Sequence, residues 1–278
     1  MSEIVVESLT AADLALNLAL SNRVGWPDTE AEWRVIYDAA CVLGVRRAGA
    51  LVGQGALGVF EGAGSIAKMV VAPSAQRQGI GGRILDGLLR EAEQRALSAV
   101  GLVATPFGQP LYESRGFVAT GEVVITVGTP QGAALHEAEA LLETDVAPVQ
   151  DAEQILRIER RFMSSSRAAI LRGRLAHSCA TAVYGDVGFA LATWHEKGTR
   201  VGPIIAADEA CARSLTMAIL RAVNGPLRFD IPGEKADFRR WLVELGLVEK
   251  GVHMEMQRGG ALPWCVPERF AQATQAWG

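Results

Sequence analysis

Hydrophobic and polar positions in the first half of the chain form short blocks that predict strands separated by helices. Residues 81–97 place Ile84, Leu85, Leu88 and Leu89 on one helical face, which predicts an amphipathic helix. Apolar runs punctuated by glycine predict strands over residues 4–6, 42–45, 50–60, 65–71, 100–104 and 118–127. The alternation indicates an α/β fold with a mixed sheet, in which 42–45 and 50–60 pair antiparallel.

Residues suited to capping mark the ends of three further helices. Thr10 is a predicted N-cap for a helix that runs to about Leu20. Thr29 is a second N-cap, and Glu32 stands three residues later at the capping-box position. A short helix over 110–114 is predicted to end before Gly116.

The length of 278 residues fits two domains. A Pro/Gly turn and a predicted connecting helix occupy residues 128–147, so we predict domains over 1–130 and 148–278 with a linker over 131–147. Charge is distributed unevenly along the chain. Residues 1–145 contain 10 Lys and Arg and 17 Asp and Glu, whereas residues 146–278 contain 17 Lys and Arg and 14 Asp and Glu. Opposite net charges favour two domains that dock.

Composition excludes several classes of protein. A 49% hydrophobic share is enough for sizeable cores, and a net charge of −4 argues against nucleic acid as a partner. No apolar run approaches the roughly 18 residues of a membrane span. The first residues lack the basic and apolar regions of a secretory signal. We expect no membrane partner.

The cysteines and histidines predict neither disulfides nor a metal site. No two cysteines form a CxxC pair, and the histidines have no ligand-like spacing with them. We therefore expect free thiols in the cytoplasm and no metal. The residues are Cys41, Cys179, Cys211, Cys265, His136, His177, His195 and His253.

The stretch VVAPSAQRQGIGGRIL carries the clearest chemistry. A predicted strand enters a glycine-rich loop that opens a long helix, where unpaired N–H groups and the helix dipole favour an anion. Glycines allow the backbone to approach a pyrophosphate closely. The spacing is neither the P-loop GxxxxGK[ST] nor the dinucleotide GxGxxG.

This stretch resembles motif A of the GCN5-related N-acetyltransferases (GNAT family), [Q/R]-x-x-G-x-[G/A]. The match runs from Gln76 to Gly81, and PLYESRGF at 110–117 is similar to a second family segment. The resemblance covers about residues 3–128 and implies an acyl-CoA site. It implies that Val70 and Val71 pair with the pantetheine arm and that the pyrophosphate is held by Gln76, Arg77, Gln78, Gly79, Ile80, Gly81 and Gly82.

The resemblance also implies that Tyr112 donates a proton to the departing CoA thiolate, with a packing aromatic as the alternative. The general base is open, because the strand at 65–71 has no carboxylate. Glu61 in the preceding turn is a candidate. Asp28, Glu30 and Glu32 are further candidates, because they lie in the loop-and-helix region that shapes the acceptor site in the family. A water chain or a backbone carbonyl is an alternative. Trp26 belongs to the same acceptor region.

The second half looks like a degenerate copy of the first. The interval from Pro73 to Gly116 equals that from Pro203 to Gly246. In this register Asp208 and Glu209 stand where the pyrophosphate would lie, and Tyr112 falls opposite Leu242. The arrangement is similar to tandem GNAT proteins with an active first domain and a degenerate second one.

Six arginines lie within residues 157–174. They form a solvated or domain-docking face, or one or two of them enter the cleft and hold a carboxylate of the acceptor; Arg167 best fits the tandem pattern.

The resemblance thus implies an acetyl-CoA-dependent N-acetyltransferase that acts on the amine of a small molecule or peptide in a cleft between two domains. The alternatives are an O-acyltransferase and a non-catalytic acyl-CoA or small-molecule sensor. We expect acetyl-CoA as the co-substrate and a monomer or homodimer.

Overall fold

The chain forms a continuous mixed sheet with helices packed on it. The computed structural model describes residues 4–26, 28–131, 146–164, 166–275 and 277. Within these residues thirteen strands are joined in the order β1-β2-β3-β4-β5-β12-β6-β11-β10-β9-β8-β7, with β13 paired to β10.

The strands of the first half are β1 (Glu7–Ser8), β2 (Ala40–Arg47), β3 (Ala50–Val59), β4 (Ala63–Val71), β5 (Ala99–Ala104) and β6 (Val118–Gly128). Those of the second half are β7 (Val146–Ala147), β8 (Ser178–Tyr184), β9 (Gly188–His195), β10 (Gly198–Ala206), β11 (Leu227–Pro232), β12 (Val248–Gly259) and β13 (Arg269–Ala271). The helices are α1 (Leu14–Arg23), α2 (Glu30–Ala39), α3 (Ile80–Gln94), α4 (Gln109–Glu113), α5 (Ala152–Phe162), α6 (Ala168–Ala176), α7 (Glu209–Ala222) and α8 (Ala236–Glu244).

The predicted mixed α/β fold is confirmed, and most predicted elements lie within a few residues of their expected places. Thr29 caps α2 with both capping-box hydrogen bonds, as predicted. The first strand is displaced to Glu7–Ser8, where it pairs with Leu43 and Gly44 of β2. The predicted connecting helix falls mostly on 132–145, outside the described residues, and the division into two domains around 131–147 stays a prediction.

Strand β6 of the first half and strand β12 of the second half each pair with strands of the other half. Strand β12 lies between β5 and β6 and pairs antiparallel with both. Strand β6 in turn pairs with β11 of the second half. The two halves therefore share one set of hydrogen-bonded strands, and residues near 253 are brought beside those near 104.

A bulge in β4 opens the sheet next to β5. Lys68 has a left-handed φ of 52°, and the pairing of β4 with β3 shifts register there. Strand β4 runs parallel to β5 only from Ala63 to Ser65, and beyond that point the described strands separate. The free edge of β4 consequently faces an open wedge.

Helices α2 and α6 hold the two halves together on one face of the sheet. A Cβ atom on Gly173 of α6 would lie only 2.6 Å from Cγ2 of Val35 in α2, so the close approach of the helices requires glycine. Ile155, Leu156 and Leu171 of the second half belong to the same buried cluster as Trp33 and Ile36. This packing buries one face of α2, with Trp33, Val35 and Ile36, against the second half.

The second half repeats the order of the first, but its loop before the long helix is shortened. Gly116 and Gly246 both have positive φ after the corresponding short helices. The loop of residues 72–79 is replaced by residues 207–208 alone. Pro203 therefore lies inside β10, whereas Pro73 follows β4, so the predicted register slips at this point.

Candidate active site

The glycine-rich loop presents a row of unpaired backbone donors at the start of α3. Gly79 is the N-cap and has a left-handed φ of 81°, which favours glycine. The first hydrogen bond of the helix is donated by the N–H of Arg83 to the carbonyl of Gly79. None of the N–H groups of residues 76–82 has an acceptor among the described residues. Such a row of donors is suited to an anion.

Side chains of the loop stabilise this conformation. The Gln76 amide donates to the carbonyl of Val71 at 3.1 Å, and the Gln78 amide donates to the carbonyl of Ser74 at 3.2 Å. Arg47 of β2 donates to the Gln78 side chain. These bonds fix the loop without using its backbone N–H groups.

The loop forms one wall of a cavity of about 670 Å³ at the wedge between β4 and β5. Of the residues predicted to bind CoA, the cavity is lined by Val70, Val71, Gln76, Arg77, Gly79, Ile80, Gly81 and Gly82, while Gln78 lies outside it. The predicted Trp26 also lines the cavity.

Tyr112 of α4 lines the same cavity. Its ring is buried and packs edge-on against Phe117, with ring centroids 6.0 Å apart. Its hydroxyl has no hydrogen-bond partner among the described residues. Burial raises the pKa of the Tyr112 phenol, so the group stays protonated at neutral pH.

The second half supplies five polar residues to the cavity, namely Arg200, Arg228, His253, Thr274 and Gln275. Nδ1 of His253 lies 2.9 Å from Oε1 of Gln275, and Nε2 of Gln275 lies 3.4 Å from Oδ1 of Asp230. Because a carboxylate only accepts hydrogen bonds, the amide nitrogen of Gln275 faces Asp230 and its oxygen faces His253. In the neutral tautomer that this arrangement selects, Nδ1 of His253 carries the proton and Nε2 has the lone pair.

A buried charge cluster lies where the halves meet. Oε1 of Glu32 is 3.6 Å from Nε2 of His195 and 3.6 Å from Nη1 of Arg200. Lys68, beside the bulge, forms an ion pair with Asp28 at 2.5 Å. Burial alone would raise the pKa of Glu32, but Lys68, Arg200, His195 and Arg174 lower it to about 2. Glu32 is therefore an ionised anchor at neutral pH.

Four residues predicted for the acceptor site lie outside the cavity, and one of them is Glu32 of the charge cluster. Glu30 is exposed and forms an ion pair with Arg34. Glu61 lies at the opposite end of β4 and, with Arg167, lines a separate cavity of about 380 Å³. Arg167 is buried and donates to Glu159 at 2.7 Å and to the carbonyl of Trp277 at 2.6 Å. Its partners give Arg167 a structural role, and no arginine of the 157–174 segment lines the 670 Å³ cavity.

Sequence reasoning missed Lys68, Arg200, Arg228, His253 and Gln275. Lys68 had a visible signal, because it is the one charged residue in the apolar run 65–71. Arg228 and Asp230 also had one, because their i, i+2 spacing places both on one face of any strand that the apolar segment LRFDIP forms. His253 had none, since its place depends on the insertion of β12 beside β5.

Helix α7 of the second half corresponds to α3, and the carboxylate of Asp208 lies at its N-terminus. Oδ1 of Asp208 accepts a hydrogen bond from the N–H of Cys211 at 2.8 Å and caps α7. Glu209 follows in the first turn and forms an ion pair with Arg213. The side chain of Asp208 thus uses a donor that a pyrophosphate would need.

Replacing Glu32 by glutamine should lower the free energy of unfolding by about 3 kcal/mol at pH 7, since the carboxylate titrates far below its ordinary value. Its stabilisation is complete above pH 4.5, the ordinary value, and is lost as the pH falls toward 2. The difference between wild type and Glu32→Gln in urea unfolding should therefore shrink over that interval.

Glu30→Gln is the matched control, because Glu30 lies two residues away and is exposed. It should cost at most about 0.5 kcal/mol. A Glu32→Gln effect as small as that of the control would show that the buried ion pairs do not stabilise the fold.

Within the described residues no helix is long and apolar enough to cross a membrane. The same residues contain no cluster of three His, Cys, Asp or Glu side chains that could hold a metal ion.

Comparisons with known proteins agree with this geometry. Two family models described as "Acetyltransferase (GNAT) domain" match residues 29–130 and 155–264. The N-acetyltransferase YitH of Bacillus subtilis (strain 168), whose name marks it as uncharacterized, is 24% identical over 241 residues, which are 82% of each chain.

Solved structures share the fold over nearly the whole length. A Pyrococcus horikoshii protein assigned as an acetyltransferase is 18% identical, with a TM-score of 0.83 over 100% of this chain and 97% of that one. A tandem GNAT protein from the clavulanic acid biosynthesis pathway is 13% identical, with a TM-score of 0.63 over 94% of this chain and 100% of that one. Two matched domains in one chain, a shared fold and a motif-A loop identify this protein as a member of the GNAT acetyltransferase family, of the tandem type.

Proposed function

We propose that this protein transfers an acetyl group from acetyl-CoA to an amine bound in the 670 Å³ cavity. One observation carries the proposal: the cavity joins the unpaired donors of residues 76–82 and Tyr112 to polar residues of the second half. The donor substrate would enter from the first half and the acceptor would meet the second half.

The residues of the first half fit acetyl-CoA. The N–H groups of residues 76–82 suit a pyrophosphate, and the unpaired edge of β4 after Ser65 suits the amides of a pantetheine arm. Gly81 leaves room, because its added Cβ would meet Leu111 and Val71 only at 3.5 and 3.7 Å. When bound, acetyl-CoA supplies the thioester carbon that the amine attacks.

Tyr112 and His253 are the proposed acid and base. The buried phenol of Tyr112 keeps its proton and can donate it to the leaving sulfur. Nε2 of His253 can accept a proton from the amine, and Gln275 together with Asp230 fixes the tautomer that allows this. A histidine from β12 thus takes the place of the carboxylate that β4 lacks.

The first prediction concerns the loop and its counterpart in the second half. Gly81→Val should fold, yet weaken CoA binding at least about tenfold, since its methyl groups would occupy the space beside the donor row. Ala210→Val, at the second residue of α7 as Gly81 is the second residue of α3, should bind CoA like wild type.

Calorimetry measures both affinities and should give one equivalent of CoA per chain in the wild type. Two equivalents, or an unchanged affinity in a folded Gly81→Val variant, would contradict the assignment.

The second prediction concerns the acid. Tyr112→Phe should lower kcat about 10²- to 10⁴-fold and leave the Kd for CoA unchanged, because only the proton is lost. Tyr37→Phe is the control, because it removes a partly buried hydrogen bond to Asn17 outside the cavity. A kcat within about twofold of wild type would make Tyr112 a packing residue.

The third prediction concerns the base. His253→Ala should lower kcat about 100-fold or more, and added imidazole should restore part of the rate, because the truncated side chain leaves space in the cavity. His177→Ala, at the exposed end of α6, should behave as wild type. Loss without rescue, together with a lower melting temperature, would point to a structural role for His253.

The main test of the proposed function is whether the protein consumes acetyl-CoA and forms acetylated product with any amine of a panel. Acetylated product with at least one amine supports the proposal. Tight CoA binding without turnover of any amine would favour a sensor.

A further inference from the structure

Two arginines of the second half lie side by side on the cavity wall. Arg200 of β10 and Arg228 of β11 are direct partners across a parallel strand pair, so their side chains share a face of the sheet. Both line the 670 Å³ cavity. Like charges in this position repel, so they persist only where acids or a ligand offset them.

The neighbouring carboxylates accept hydrogen bonds from Arg228 but not from Arg200. Nε and Nη2 of Arg228 donate to Oδ1 of Asp230 at 3.0 and 2.8 Å. Arg200 approaches Glu32 at 3.6 Å and Asp230 at 3.8 Å, both beyond hydrogen-bond distance. The guanidinium of Arg200 donates no hydrogen bond to any described residue, and its Nε is buried. A guanidinium has five donors, and leaving them buried and unused is costly.

The charges around this wall leave a positive excess. Among the described residues, and with His195 beside Glu32 left out of the count, four cations lie near three carboxylates: Lys68, Arg174, Arg200 and Arg228 against Asp28, Glu32 and Asp230. One further negative charge would balance the cluster. A monoanion with two oxygens in a plane fits the fork of an arginine.

We propose that Arg200, supported by Arg228, binds a carboxylate of the acceptor, so that the acceptor is a small amine that also bears a carboxylate. The inference rests on the proposed function and names its substrate class. Asp230 links Arg228 to Gln275 and so to His253, which sets the carboxylate close to the amine that His253 serves. Compact amino acids meet this description, whereas polyamines and uncharged amines do not.

The test compares amines that bear a negative charge with neutral counterparts of the same carbon skeleton. Wild type is assayed with L-amino acids, β-alanine and γ-aminobutyrate, each beside its primary carboxamide, and with phosphoethanolamine beside ethanolamine. We expect at least one acid to be acetylated with a kcat/KM about 10- to 100-fold above that of its carboxamide. A preference confined to phosphoethanolamine would overturn the assignment to a carboxylate.

Variants assign the preference to the arginines. Arg200→Gln should remove the preference by lowering kcat/KM for the acid and not for the carboxamide, with the KM for acetyl-CoA unchanged. Arg200→Lys keeps the charge but not the fork and should also lose most of it. Arg228→Gln changes a more exposed position and should also reduce the preference. It serves as the test if the Arg200 variants fail to fold. Arg46→Gln, which loses two carboxylate partners outside the cavity, is the control and should keep the preference.

The outcomes separate this inference from the proposed function. Acetylation of uncharged amines in preference to acids, or a preference that survives in folded Arg200 and Arg228 variants, overturns the carboxylate site and leaves the acetyltransferase intact. Binding of CoA with no acetylation of any amine overturns both.

Discussion

The pairing of β12 with β5 on one side and β6 on the other is the interaction on which the rest of the structure depends. It joins the two halves through backbone hydrogen bonds and not only through side-chain packing. It also sets His253 next to the end of β5, beside the wedge that the Lys68 bulge opens. Without this strand pairing, the glycine-rich loop of the first half and the polar residues that the second half supplies to the cavity would belong to separate sites.

The buried charges follow from that arrangement. Helix α2 packs against α6, so the first turn of α2 faces β9 and β10 and Glu32 is taken out of water. A buried carboxylate is tolerated only with cations around it, and here they come from both halves. The cluster therefore fixes the register of the halves at the point where they line the cavity.

The sequence predicts the features that depend on local pattern. The strand–loop–helix order, the capping box of Thr29 and the glycine loop each rest on residues within one segment, so neighbouring positions are enough to identify them. Tyr112 was singled out for the same reason, and it lines the cavity. Arg200 and His253 were not, because their convergence depends on a pairing between strands more than a hundred residues apart. Arg167 is an example of a residue whose local pattern was misleading. It is bound by Glu159 and the carbonyl of Trp277, and an arginine-rich segment does not reveal these partners.

The place of β12 in the chain order has a consequence for how the protein is made. A ribosome releases β5 and β6 long before β12, so the first half must wait for a strand that follows only after β7 to β11 have been synthesised. During that interval the facing edges of β5 and β6 are unpaired and are free to pair with each other or with another chain. The glycine loop, in contrast, is complete early. On the proposed function, newly made chains should therefore complete the loop assigned to the CoA pyrophosphate before the residues assigned to the acceptor join it. Chaperone protection of the unpaired strand edges would matter most in that interval.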